Sequence, residues 1–130
     1  MLILTIKTDQ VEAQLCLYQD EKLLEAERWS AHRQLAETIH QKIASLLKSQ
    51  EFDWADLQGI VCFKGPGSFT GLRIGMSVAN ALAYGVAAAV VSAQGDDWQT
   101  VGIKRLMAGE NEVSALPEYG GEIFTTKPRK

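Results

Sequence analysis

Two cysteines, three prolines and no uninterrupted apolar stretch of membrane-spanning length set the first limits on this chain of 130 residues. Cys16 and Cys62 both lie inside apolar runs, which predicts two buried free thiols in a reducing compartment rather than a disulfide. Positive charge is also short. Thirteen Lys and Arg against sixteen Asp and Glu leave a formal charge of -3. Phosphate backbones are bound through Lys/Arg counterion release, so the chain is not expected to hold RNA without another protein's basic surface. The most apolar segment, from Ile74 to Ala93, is interrupted by Ser77, Asn80 and two glycines, which argues against a membrane span. Met1 to Ile6 carries no basic lead-in and breaks at Lys7, unlike a secretory signal, and a cytoplasmic location is expected.

Catalytic sets are missing too. His32 and His40 stand eight positions apart, about 12 Å along a helix, too far to share one metal, and no Cys or carboxylate joins them at ligand spacing. Ser68 has no evident His and Asp partners, and its surroundings are not a Gly-x-Ser-x-Gly elbow. No metal site and no self-contained catalytic constellation is expected.

What is present reads as one α/β domain, large enough to bury roughly 68% of its unfolded surface. Leu2 to Ile6 is an apolar strand; Val11 to Tyr18 alternates apolar and polar residues; Leu23 to Trp29 fits a third antiparallel strand. Ser30 is placed to cap an amphipathic helix over 32–49, on which Leu35, Ile39, Ile43, Leu46 and Leu47 recur at helical spacing. Residues 50–59, with Phe52, Trp54 and Leu57, read as a turn packed under the domain edge. Ile60 to Phe63 is a strand, 72–86 a helix capped by Ser68 or Thr70, and 87–92 a buried strand, giving the order βββαβαβ. Asp96 or Asp97 is placed to cap a further helix through Met107, and Pro117 to Lys130 reads as an extended tail.

The stretch Gly65-Pro66-Gly67-Ser68-Phe69-Thr70-Gly71-Leu72-Arg73-Ile74-Gly75 joins the strand to the long helix. A glycine-rich loop at a helix start is a general phosphate cradle, and Lys7, Thr8, Gly65, Gly67 and Ser68 are the candidate contacts. The loop matches neither the Walker A pattern, lacking its Lys, nor Gly-x-Gly-x-x-Gly. Gly71, Gly75, Ala79, Ala83 and Ala87 fall four apart, forming a helix ridge almost bare of side chains. Each interior glycine costs about 1 kcal/mol of helix stability, so close packing should offset it. Spacing alone serves equally a ridge lying on the domain's own sheet or first helix and one lying against another chain.

The 65–75 motif resembles the hallmark of the bacterial TsaB (YeaZ) family, and the N-terminal strand, the first helix and the approach Asp56-Leu57-Gln58-Gly59-Ile60 stand where that family has them. The resemblance spans roughly residues 1–95. It implies an ASKHA lobe (actin-like ATPase, ribonuclease-H-like) over 1–95, with a shortened segment and tail over 96–130. It also implies a catalytically inactive subunit that pairs with a TsaD-like transferase, joined by a TsaE-like ATPase, in making N6-threonylcarbamoyladenosine at position 37 of tRNA, with tRNA met only through the complex. Pairing in that family, including homodimers, uses the two helices. The resemblance therefore assigns Leu35, Ile39, Ile43, Gly71, Arg73, Ile74, Gly75, Val78, Ala79, Leu82 and Ala83 to an interface, with Gly75→Leu expected to keep the fold and lose pairing.

Two departures qualify what the resemblance carries over. Lys7-Thr8-Asp9 stands where family members usually have Asp-Thr-Ser, so Lys7 replaces a carboxylate suited to Mg²⁺. Only a short stretch lies where the family's second lobe would be. No cofactor is expected, with ATP or ADP held at most weakly or at a partner interface. The alternatives are an ASKHA-type ATPase and a stand-alone homodimeric scaffold; the glycopeptidase label older descriptions attach to such proteins finds no catalytic or metal set here.

Overall fold

The computed structural model describes residues 1–31, 34–67 and 69–113. The expected tail, together with His32 and Ser68, lies outside the described residues. Strand β1 (Leu2–Lys7), β2 (Glu12–Gln19) and β3 (Lys22–Ser30) form an antiparallel meander, followed by α1 (Leu35–Ser49), β4 (Gly59–Phe63), α2 (Phe69–Val86), β5 (Ala89–Ala93) and α3 (Trp98–Met107). The sheet runs β3-β2-β1-β4-β5, with β4 parallel to both β1 and β5. This is the expected βββαβαβ order on a mixed sheet, with α3 following.

Alternation along the strands builds two cores. Leu2, Leu4 and Ile6 of β1, Ala13, Leu15 and Leu17 of β2, and Ile60 and Cys62 of β4 point to the side covered by α1 and α2. Ile3, Val61, Phe63, Val91 and Ala93 point to the other, where Trp98, Ile103 and Leu106 of α3 pack. β1 and β4 are central and covered on both sides, so each reads as an unbroken apolar run. At the edge, β3 alternates exposed and half-buried positions.

Several boundaries shift for local reasons. Ser30 does not cap α1: it ends β3 opposite Glu12, and α1 starts after Gln34, which makes no side-chain cap bond. The helix is pinned to β3 instead, through Trp29 Nε1 donating to Thr38 Oγ1 at 3.1 Å and Lys42 pairing with Glu27 at 3.2 Å. Val11 lies just before β2 and is exposed. Trp54–Asp56 form a single 3-10 turn over buried Leu57. α2 ends where Ala87 turns left-handed (φ 57°) and Ala88 N–H reaches back to Ala83 O at 2.8 Å, a Schellman-type stop. Ala87 therefore belongs to the helix stop, not the ridge.

Candidate functional site

Three parallel strands, β1, β4 and β5, end side by side at Lys7, Phe63 and Ala93. Their ends and following loops border an open cavity of about 520 Å³ lined by Lys7 at the end of β1 with Asp9 and Gln10 after it, Gly65 and Pro66 from the second loop, and Gln94, Gly95 and Asp96 from the third. The carboxyl ends of parallel strands are where open α/β sheets hold ligands. Gly65 takes a positive φ of 96°, a conformation that favours glycine, and the Gly65–Pro66 peptide is cis.

Of the candidate phosphate contacts, Lys7 and Gly65 line this cavity, Thr8 and Gly67 do not, and Ser68 lies outside the described residues. Thr8 is 2% exposed, and its hydroxyl donates to Gly71 O at 2.8 Å, fastening the β1–β2 turn to the first turn of α2. It faces the helix, not the cavity. Lys7 does line the cavity, but its ammonium pairs with Asp9 Oδ1 at 2.7 Å and lies 4.6 Å from the centre of the Phe63 ring. Gly67 packs on Asp9 so closely that a Cβ there would stand 2.6 Å from the Asp9 Cβ. Among the described residues, no group of three or more His, Cys, Asp or Glu is arranged to hold a metal ion.

The second candidate surface is the pair α1 and α2. Here the structure divides the predicted interface residues. Leu35, Ile39 and Ile43 of α1 and Ala79 and Ala83 of α2 are buried in the chain's own core. Gly75 is buried against Thr8, where a Cβ would collide with Thr8 Oγ1. These six are buried within the chain's own fold, where the small-residue ridge lets α2 sit down on the β1–β2 turn and the sheet. Gly71, Ile74, Val78 and Leu82 are half-buried at the flank, and Arg73 is exposed.

The outward side of α2 is formed by Thr70, Arg73, Ser77, Ala81 and Tyr84, the last 91% exposed. Thr70, Arg73, Ile74, Ser77 and Val78 form, with Ala36 of α1, a shallow groove of about 320 Å³. Thr70, Ser77, Ala81 and Tyr84 were missed by sequence reasoning, although the signal was available: they recur with Arg73 at helical spacing, and Arg73 is the single charged residue of α2. Among the described residues, no helix is long and apolar enough to cross a membrane.

Beyond α3 the chain returns along the outer edge of β5. Val90 N–H donates to Asn111 Oδ1 at 3.1 Å, and Glu112 N–H donates to Val90 O at 2.8 Å. Arg105 bridges the segment to the sheet, donating to Glu110 and Glu112 carboxylates and to Ser92 O, each at 2.7 Å. Burial alone would raise the Glu112 carboxyl, but hydrogen bonds from Arg105 and from the Ser92 backbone and hydroxyl outweigh it and hold the group below its usual range. The two cysteines are free and buried, and burial, reinforced by Glu112, pushes the Cys62 thiol up to about 12, which leaves it unreactive near neutral pH.

Comparison with known proteins fits this architecture. A family model described as TsaD, tRNA N6-adenosine threonylcarbamoyltransferase, matches residues 29–93. The chain is 29% identical over 136 aligned residues to the tRNA threonylcarbamoyladenosine biosynthesis protein TsaB of Escherichia coli (strain K12), covering 95% of this chain and 53% of that protein. YeaZ from Pseudomonas aeruginosa superposes with a TM-score of 0.66 at 22% identity, over 72% of this chain and 43% of that one. RuvC from Thermus thermophilus superposes with a TM-score of 0.54 at 11% identity, over 94% and 85% of the two chains. The two structural likenesses bear on the fold alone. The chain spans about half the length of the curated relative it matches.

Proposed function

The chain belongs to the family described as TsaD, tRNA N6-adenosine threonylcarbamoyltransferase, whose model matches residues 29–93 of its 130, and from that premise we propose that it is a non-catalytic, TsaB-like assembly subunit in tRNA N6-threonylcarbamoyladenosine formation. It docks a TsaD-type partner on the outward side of α2 and the groove beside α1, and meets a TsaE-like ATPase and tRNA only through that complex. The observation that carries this reading lies inside the matched segment. An 18-residue helix with one charge presents Thr70, Arg73, Ser77, Ala81 and a nearly naked Tyr84 outward, flanked by half-buried Ile74, Val78 and Leu82. Surface depleted of charge around an exposed aromatic is the composition of an interface centre.

Co-purification of tagged chain with the TsaD-type protein of the same cell tests it, alongside mass-spectrometric measurement of the modified nucleoside in cells lacking the chain. A one-to-one complex that is lost in Tyr84→Asp, together with depletion of the nucleoside, supports the reading. Self-association without capture would favour the homodimeric scaffold instead. ATP hydrolysis by the chain alone would favour an ATPase.

A further inference from the structure

An ASKHA-type ATPase would hold a nucleotide and its Mg²⁺ at the carboxyl ends of β1, β4 and β5, and the residues standing there do not fit one. A phosphate would need a free cation and free loop N–H groups. Among the described residues the one ammonium lining the cavity, that of Lys7, is held between a carboxylate at 2.7 Å and the face of Phe63 at 4.6 Å, two partners that both favour a cation. Phe63 is itself fixed edge-on to Trp98, with ring centres 5.5 Å apart. The Asp9 side chain, only 9% exposed, packs on Gly67 of the loop a phosphate would approach. Asp96 adds a second carboxylate to the lining, so among the described residues Lys7, Asp9 and Asp96 give the cavity a net negative charge. A polyphosphate entering it would have to strip Asp9 of its partner and then face two carboxylates.

We propose that the Lys7–Asp9 pair is the resident occupant of this cavity, an intramolecular substitute for a nucleotide and its cation. The lysine supplies the positive charge that a bound cation would bring, and the aspartate fills the space beside the glycine loop that a phosphate would take. The neighbouring Thr8 then ties the same turn to Gly71 at the start of α2. The helix is thereby set in place without a ligand, and its outward side is always presented. This inference is independent of which partner that side meets.

Calorimetric titration of the intact chain with ATP·Mg²⁺ and with inorganic pyrophosphate is the test, with Asp9→Asn and Lys7→Met alongside. The parent should show no binding of either up to millimolar concentration. Asp9→Asn removes the competing carboxylate and releases the ammonium, and should bind pyrophosphate at least tenfold more tightly than the parent. Lys7→Met leaves Asp9 without its cation, so its melting temperature should fall and then rise with millimolar MgCl₂ more than that of the parent does. Micromolar ATP binding by the parent would overturn the proposal. So would a Lys7→Met protein whose melting temperature is unchanged and indifferent to Mg²⁺, a result that stands even if Asp9→Asn does not fold.

Discussion

The two sides of α2 are built from similar small residues and do opposite things. On the inner side, Gly75, Ala79 and Ala83 have little reach, so the helix backbone comes down onto Thr8 and the sheet, and a carbon added at Gly75 would meet Thr8. On the outer side, Ser77 and Ala81 are also short, yet among the described residues nothing covers them. A short side chain thus signals close approach only where the fold supplies the approaching surface. The comparison teaches that a small-residue stripe on a helix identifies contact without identifying the partner in contact.

The largest effect should come from substituting the inner side. In Gly75→Leu the first added carbon already collides with Thr8 Oγ1, and the rest of the side chain has no space in the core beneath. Overpacking of this kind should cost about 3 kcal/mol or more. Urea unfolding should show a large loss of midpoint or no cooperative fold. A Gly75→Leu chain as stable as its parent would mean that the inner and outer sides have been confused. The family resemblance gives the opposite expectation for this variant, a fold kept and pairing lost, so the unfolding measurement decides between them.

Next comes the outer side. Tyr84→Asp and Ser77→Arg place charge on the uncovered surface and should leave the melting temperature within the range of ordinary surface changes, about 0.5 kcal/mol. Partner affinity, read by analytical ultracentrifugation or surface plasmon resonance against a TsaD-type protein, should fall tenfold or more. Unaltered affinity in both variants would remove this side of α2 from the proposed interface.

How much of this was legible follows the same division. The apolar runs at 2–6 and 60–63, the alternation of 11–18 and the helical recurrence through 35–47 are local signals, and the structure holds strands and a helix there. The resemblance of 65–75 to the TsaB (YeaZ) family was legible for the same reason, being a contiguous motif, and is borne out. What was not legible depends on residues far apart. Ser30 is a good helix cap in isolation, but its pairing with Glu12 keeps it in β3. The ridge could be seen, but not that Thr8, some sixty positions earlier, lies under it. The pairing of Lys7 with Asp9 is the exception, near in sequence yet set by the conformation of the turn rather than by any pattern of apolar residues.

The second helix layer offers an independent check of the inner-side rule. Gly102 of α3 is buried, and a Cβ there would collide with Val61 of β4. Gly102→Ala gains roughly 1 kcal/mol of helix propensity but should still destabilise the chain by about 1–2 kcal/mol through overpacking. Pairing it with Val61→Ala removes the obstructing methyls. The double variant should therefore be less destabilised than the sum of the two single changes, measured by thermal unfolding. Simple additivity would show that close approach is not what the glycine provides.

The smallest expected effect separates attachment by close packing from attachment by charge. α2 is held by contacts that do not titrate, whereas the segment after α3 is held to β5 through Arg105, Glu110 and Glu112. The folded Glu112 carboxyl sits below its usual range, so the unfolded chain takes up the proton first as pH falls. Its contribution is therefore complete above the ordinary carboxylate range, shrinks through that range and is lost below the folded value. Arg105, raised first by Glu110 and then by Glu112, stays charged across the whole window and adds no pH dependence of its own. Because Glu112 is partly exposed, the contribution should stay under about 1 kcal/mol. Glu112→Gln should accordingly lower stability slightly at pH 7 and make it fall less steeply between pH 5 and 3. Hydrogen exchange at the Val90 amide, bonded to Asn111, should speed up in the variant at pH 7, while amides buried under α2 keep the rate of the parent. Equal acceleration at both places would mean that the segment and α2 open together, and the contrast between packing and charge would fail.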